Sequence, residues 1–220
     1  MCHHEGMPPS PTPGSVTSGS VTPGLGPSPI GVVATLNNLG NVARHVGQLE
    51  SAAQIYETAI TLCRATGNAL YEAIAQNNLG QVRDERGEHE QAEALYRAAL
   101  QTVRRLGDRI REGDNLGSLG ACLLWRGEVQ AARPVLEAAI AIRRAIGDRA
   151  YLTIDLSFLA LALAQEQRGD EARAALADCA ALLGEIGEGI EQVQLVHLNR
   201  ALAERALGDP AAAVRSLAQA

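Results

Sequence analysis

The sequence predicts an all-α fold, a right-handed superhelical solenoid of antiparallel helix pairs, and three observations carry that reading. The first is internal repetition: Leu39-Gly40, Leu79-Gly80 and Leu119-Gly120 recur every 40 residues, and Leu159-Ala160 continues the step. The second is periodicity. Apolar residues at 92, 95, 96, 99, 100, 103 and 106 follow the 3, 4, 3, 4 spacing of a single helical stripe. The third is punctuation, since single glycines stand where successive helices would end and a left-handed residue is needed, as at Gly87 and Gly107. One helix pair cannot bury its own stripe, so the units must stack.

Residues 1–30 stand apart. They hold seven of the nine prolines together with many glycines, serines and threonines, and are expected to be a disordered tail. The repeat domain is expected over 31–220, in units of about 31–68, 69–108, 109–148, 149–188 and a truncated 189–220. Residues 33–68 and 73–108 share 12 identities over 36 positions without a gap, where average composition would give about two or three. In the second unit, helix A is expected from Leu70 to Arg86 and helix B from His89 to Leu106. Gly80 and Ala92 would let those two helices approach closely. The fourth unit keeps Ala160, Ala172 and Gly187 on the grid, but its turn glycine is read as two residues late, at Gly169. The fifth begins near Gly189, with its turn at Gly208, and its short last helix favours a fragment of a longer array over a closing cap.

Composition bounds the function. The chain has 220 residues with 46% apolar content, enough for a core, but only 3% aromatic residues; 38 alanines fill the helices instead. All 19 basic residues are Arg, against 25 acidic ones, for a net charge of −6. An acidic chain argues against nucleic acid as a partner, and the all-Arg, Ala-rich usage suggests a GC-rich bacterial genome. No apolar run is long enough to span a membrane, and the N-terminus lacks the basic-then-apolar pattern of a secretory signal. The expected location is the cytoplasm. Cys2, Cys63, Cys122 and Cys179 show no metal-finger spacing and are read as reduced thiols, the last three at packing positions. Cys2, His3 and His4 are read as part of an incidental tail, so no metal site and no cofactor is expected. There is no phosphate-cradling loop and no nucleophile or zinc-hydrolase motif, which excludes the familiar enzyme signatures.

The pattern of Leu79-Gly80, Gly87, Ala92, Tyr96 and Ala99 resembles the tetratricopeptide repeat, position by position. Asn77-Asn-Leu-Gly and the Gly-Asp-Arg linkers at 107–109 and 147–149 are similar to the long, 40-residue subtype of kinesin light chains and bacterial signalling proteins. The resemblance implies a non-catalytic module that binds a peptide or protein segment in a concave groove lined by helices A. A regulatory or sensory segment of a larger signalling or transcription-regulating protein is the alternative it leaves open. Helical projection places Asn37, Asn41 and Arg44 of the first unit on that face, Asn77, Gln81 and Asp84 of the second, and Asp114 of the third; Asn78 joins them as a candidate. Their amides would form a ladder meeting an extended peptide backbone about every third residue. Chaperone-binding relatives clamp a terminal carboxylate with Asn and basic residues. Asn41 and Asn78 fall on the Asn positions, but Asn37, Asp114 and Ser118 occupy the basic ones, so a chaperone tail is not expected as partner. Glu85, Glu88, Glu90 and Glu93 are read as a solvated surface. Arg97, Arg104, Arg105, Arg109 and Arg111 are read mainly as inter-repeat ion-pair partners.

Overall fold

A computed structural model describes residues 28–187 and 192–219. Ten α-helices and no strand occur among the described residues. The A helices are α1 (Pro29–His45), α3 (Ala69–Glu85), α5 (Arg109–Trp125) and α7 (Arg149–Gln165). The B helices are α2 (Leu49–Thr66), α4 (His89–Leu106), α6 (Val129–Ile146) and α8 (Gly169–Ile186). Both series advance by 40 residues at every step. A fifth pair, α9 (Val193–Ala206) and α10 (Pro210–Leu217), completes the described chain.

The register is set by caps as much as by core. Ser28, Asn68, Asp108 and Asp148, also 40 residues apart, each accept a hydrogen bond from the backbone N–H three residues on and so start the four A helices. The first helix therefore begins at Pro29, just ahead of the boundary composition suggests. Gly67, Gly107 and Gly147 end α2, α4 and α6 in the left-handed conformation. Within each pair the helices are antiparallel neighbours, and α3, α5 and α7 each pack on the B helix before them. Cys63, Cys122 and Cys179 are fully buried in these seams, as expected.

Three sequence expectations are corrected. The turn of the fourth unit does not move to Gly169. It stays on the grid at Gln167, which takes the left-handed φ of 61° that Gly47, Gly87 and Gly127 take in the other units. Gly169 is instead the first residue of α8, where the other units have Leu49, His89 and Val129. A turn two residues later would rotate α8 by about 200° and swing Ala172, Ala175 and Cys179 out of the core, so packing outweighs the cost of a non-glycine turn. The second correction concerns the last pair. Gly187 ends α8 with ψ near −168°, unlike its three predecessors, and α9 lies against α7 instead of continuing the stack onto α8. Asn199 Nδ2 donates to Ser157 Oγ across that contact at 3.1 Å. The cause lies in α7, where every residue from Leu152 to Ala164 except Leu159 is buried, so the helix takes cover on more than one side. The third correction is the acidic cluster: Glu93 is buried and pairs with Arg97 and Arg126, while Glu88 pairs with Arg83 at 2.6 Å.

Candidate peptide-binding groove

The A helices line a concave groove of about 690 Å³, with Gln192 and Leu195 at its far end. All eight candidate residues, Asn37, Asn41, Arg44, Asn77, Asn78, Gln81, Asp84 and Asp114, line it. The helical projection therefore places the site's side chains together on one surface.

Their hydrogen bonds differ from an open ladder. Gln81 Nε2 donates to Asn77 Oδ1 at 3.1 Å, Asn77 Nδ2 donates to Asn115 Oδ1 at 3.1 Å, and Asn115 Nδ2 donates to the carbonyl of Arg111 at 2.8 Å. A shorter relay runs from Asn78 Nδ2 to Asn37 Oδ1 at 3.3 Å, and from Asn37 Nδ2 to the carbonyl of Val33. The amides thus bond one another across neighbouring repeats, each chain ending on a backbone carbonyl. Asn37, Asn77 and Asn115 are buried, while Asn78 and Gln81 are half-buried at the groove surface. Asn41 Oδ1 accepts from the Tyr56 hydroxyl at 2.6 Å, a phenol that burial pushes up to about 12.

Charge is paired along the groove. Arg44 Nη1 meets Glu85 at 2.7 Å. Asp84 receives the Tyr96 hydroxyl at 3.0 Å and lies 2.9 Å from His89 Nδ1. Asp114 bridges Arg111 at 3.0 Å and Arg143 at 2.9 Å. Of the expected inter-repeat pairs of the Arg stretch, Arg104 with Glu112 spans two units at 2.9 Å. Arg97, Arg109 and Arg111 pair within their own helices.

The sequence reading missed the group around Arg143. This side chain is only 1% exposed, yet it meets Asp114, Asp148 at 3.0 Å and Asp155 at 3.5 Å, and stacks 4.7 Å from the centre of the Tyr151 ring. Burial pushes the Asp155 carboxyl up to about 7, against the opposing pull of Arg143. Gly117 makes room for it, since a Cβ there would lie 2.6 Å from Asp155 Oδ1. Two signals were available: a charge at 143, where the repeat carries Cys63 and Val103, and a mid-helix glycine at 117, where it carries Asn37 and Asn77. Trp125 and Phe158 add an edge-to-face aromatic pair to the same end, with centroids 6.3 Å apart.

Residues 31–105 match the family model described as tetratricopeptide repeat. Over that stretch the chain carries tetratricopeptide repeats. A putative kinesin light chain of P. anserina with nearly identical TPR-like repeats is similar in structure, with a TM-score of 0.65 and 18% identity, over 85% of this chain and 92% of that one. YrrB, a TPR protein with an unusual peptide-binding site, gives a TM-score of 0.53 and 20% identity, over 84% of this chain and 82% of that one. A Rap protein complexed with competence and sporulation factor gives a TM-score of 0.71 and 16% identity, over 84% of this chain and 51% of that one. At such identities the likeness is one of fold. A comparison with curated proteins finds no match. No helix among the described residues is long and apolar enough to cross a membrane.

Proposed function

We propose that this tetratricopeptide array is a non-catalytic interaction module that holds an extended or helical protein segment in its concave groove. The observation that carries the reading is the groove itself, open and lined by polar side chains from successive A helices. YrrB has a peptide-binding site and the Rap structure holds competence and sporulation factor, each in a fold of this kind. The half-buried amides of Asn78 and Gln81 supply donors and acceptors that read a backbone without reading its sequence. The charged groups at Arg44, Asp84 and Asp114 would then discriminate among segments by charge.

The test begins with affinity capture on the full chain, followed by titration of the captured partner's segment against wild type and an Asn78→Ala/Gln81→Ala variant. Loss of affinity by several-fold with helicity kept supports the groove. Unchanged affinity, together with a loss on substituting Arg97 and Arg105, would move the site to the Arg stretch.

A further inference from the structure

We propose that Asp84, His89 and Cys122 form a binding site for one zinc-type divalent transition-metal ion at the junction of the second and third repeats. The three residues come from α3, α4 and α5, and their ligand atoms all lie within 4.8 Å of one another. Zinc bonds of about 2.0–2.3 Å in tetrahedral geometry separate neighbouring ligand atoms by about 3.5 Å, so side-chain adjustments of about an ångström bring the three into range. One thiolate, one imidazole and one carboxylate form a donor set suited to zinc, rather than the all-oxygen shells of calcium or magnesium.

The repeat supplies an internal control. At the position of His89 the other units carry Leu49, Val129 and Gly169; at that of Cys122 they carry Val42, Val82 and Ala162. At the position of Asp84 they carry Arg44, Leu124 and Ala164. Metal-ligating residue types thus replace the repeat's usual residues at three positions at once, and the fold brings those three positions together. The surroundings are organised for ligation as well. The Tyr96 hydroxyl donates to Asp84 Oδ2 and leaves Oδ1 directed at His89 Nδ1, the type of outer contact that orients a metal-bound carboxylate. Cys122 Sγ sits 3.5 Å from the carbonyl of His89. On binding, the ion takes the place of the hydrogen bond between Asp84 and His89. The imidazole ligates through Nδ1 as its Nε2–H tautomer, the thiol proton leaves to solvent, and water completes the shell. The spacing 84, 89, 122 fits no finger pattern, which is why the sequence alone does not announce it.

The experiment loads the full chain with zinc, removes unbound metal by desalting and measures metal per chain, then repeats the loading with cobalt(II) and records its absorption. One ion per chain, with a thiolate-to-cobalt charge-transfer band and the visible bands of a four-coordinate ion, is the expected result. Cys122→Val and His89→Leu install residues the repeat carries at the same positions in other units, so each should keep its helical spectrum while weakening retention at least about tenfold. A variant with Cys2→Ser, His3→Ala and His4→Ala should retain the ion. Absence of retained metal, retention by Cys122→Val, or loss in the tail variant would each overturn the proposal.

Discussion

A methyl group placed on Gly80 would lie 2.5 Å from Cε1 of Tyr96. The same distance separates such a group on Gly40 from Tyr56, and on Gly120 it would lie 2.6 Å from Leu136. The glycine on each of α1, α3 and α5 is therefore the socket for the large residue projecting from its own B helix. Ala92, fully buried on the same face of α4, keeps the two backbones close. Gly80→Ala forces the ring aside in a packed seam and should cost about 1–3 kcal/mol, read as a lower midpoint in chemical denaturation. The fourth unit carries Ala160 and Leu176 at these two positions. Adding Tyr96→Leu to Gly80→Ala should therefore recover part of the loss, and simple additivity of the two changes would contradict the socket.

Gln167 is the turn residue with the wrong side chain for its φ of 61°. Replacing it with Gly removes left-handed strain and adds chain entropy to the unfolded state, two opposed effects. Strain is the larger, so Gln167→Gly should stabilise by about 0.5–1 kcal/mol. The reverse change, Gly87→Ala, should destabilise by about 1 kcal/mol. A fall in thermal midpoint on Gln167→Gly would show that the side chain contributes something the turn geometry does not reveal.

These two positions also mark what a sequence discloses and what it hides. The 40-residue step, the helix-ending glycines and the glycine sockets are local signals, each a residue type demanded by one backbone conformation or one close approach. They fix the helices and the faces that meet, and seven of the eight groove residues follow from the face alone, Asn78 being added from the family resemblance. What was not legible depends on contacts between units. Asn77 reads as a donor for a ligand until Asn115 is seen 3.1 Å away on the next A helix. Gly169 reads as a displaced turn until the core positions of α8 are seen to forbid the shift. The docking of α9 on α7 is a further case, because covering a helix that is buried on nearly every side is a tertiary requirement with no period of its own.

Asp155 makes stability depend on pH in a direction opposite to that of ordinary paired carboxylates. Its folded-state value of about 7 lies above the usual value of 3.8. Between about pH 4 and 7 the unfolded chain gives up this proton while the folded chain keeps it, so folding loses stability as pH rises through that window. Below the window both states are protonated and no penalty arises. Asp155→Asn removes the effect, so its stability relative to wild type should rise from pH 4 to 7 by up to about 1.4 kcal/mol per unit, then level off. Denaturation curves of the two proteins across that range test it, and a constant difference would rule it out.

Arg143 is the counterpart of that carboxyl. Removing its guanidinium leaves Asp114, Asp148 and Asp155 facing one another at a buried point with their cation gone. Arg143→Met keeps the volume and deletes the charge, and should cost about 3–5 kcal/mol at neutral pH. The cost should shrink at acid pH, where the carboxyls are neutral. A penalty independent of pH would assign Arg143 a packing role through its stem and its contact with Tyr151.

Asn77 and Asn78 are neighbours in sequence with different work. Asn77 is buried, accepts from Gln81 and donates to Asn115, so its amide holds the second and third repeats together. Asn77→Ala strands a buried acceptor on Asn115 and should cost about 1–3 kcal/mol of stability, whatever the groove binds. Asn78 is half-buried and donates one 3.3 Å bond to Asn37. Asn78→Ala should leave the thermal midpoint nearly unchanged. If a peptide backbone takes one hydrogen bond from this side chain, worth about 1 kcal/mol, affinity should fall about fivefold. The two single variants therefore separate a structural amide from a binding one, which changing both residues at once cannot do. Equal affinity of Asn78→Ala and wild type for a groove-bound segment would mean that the amides serve the stacking of repeats alone. Recognition would then fall to the charged groups around Arg44, Asp84 and Asp114.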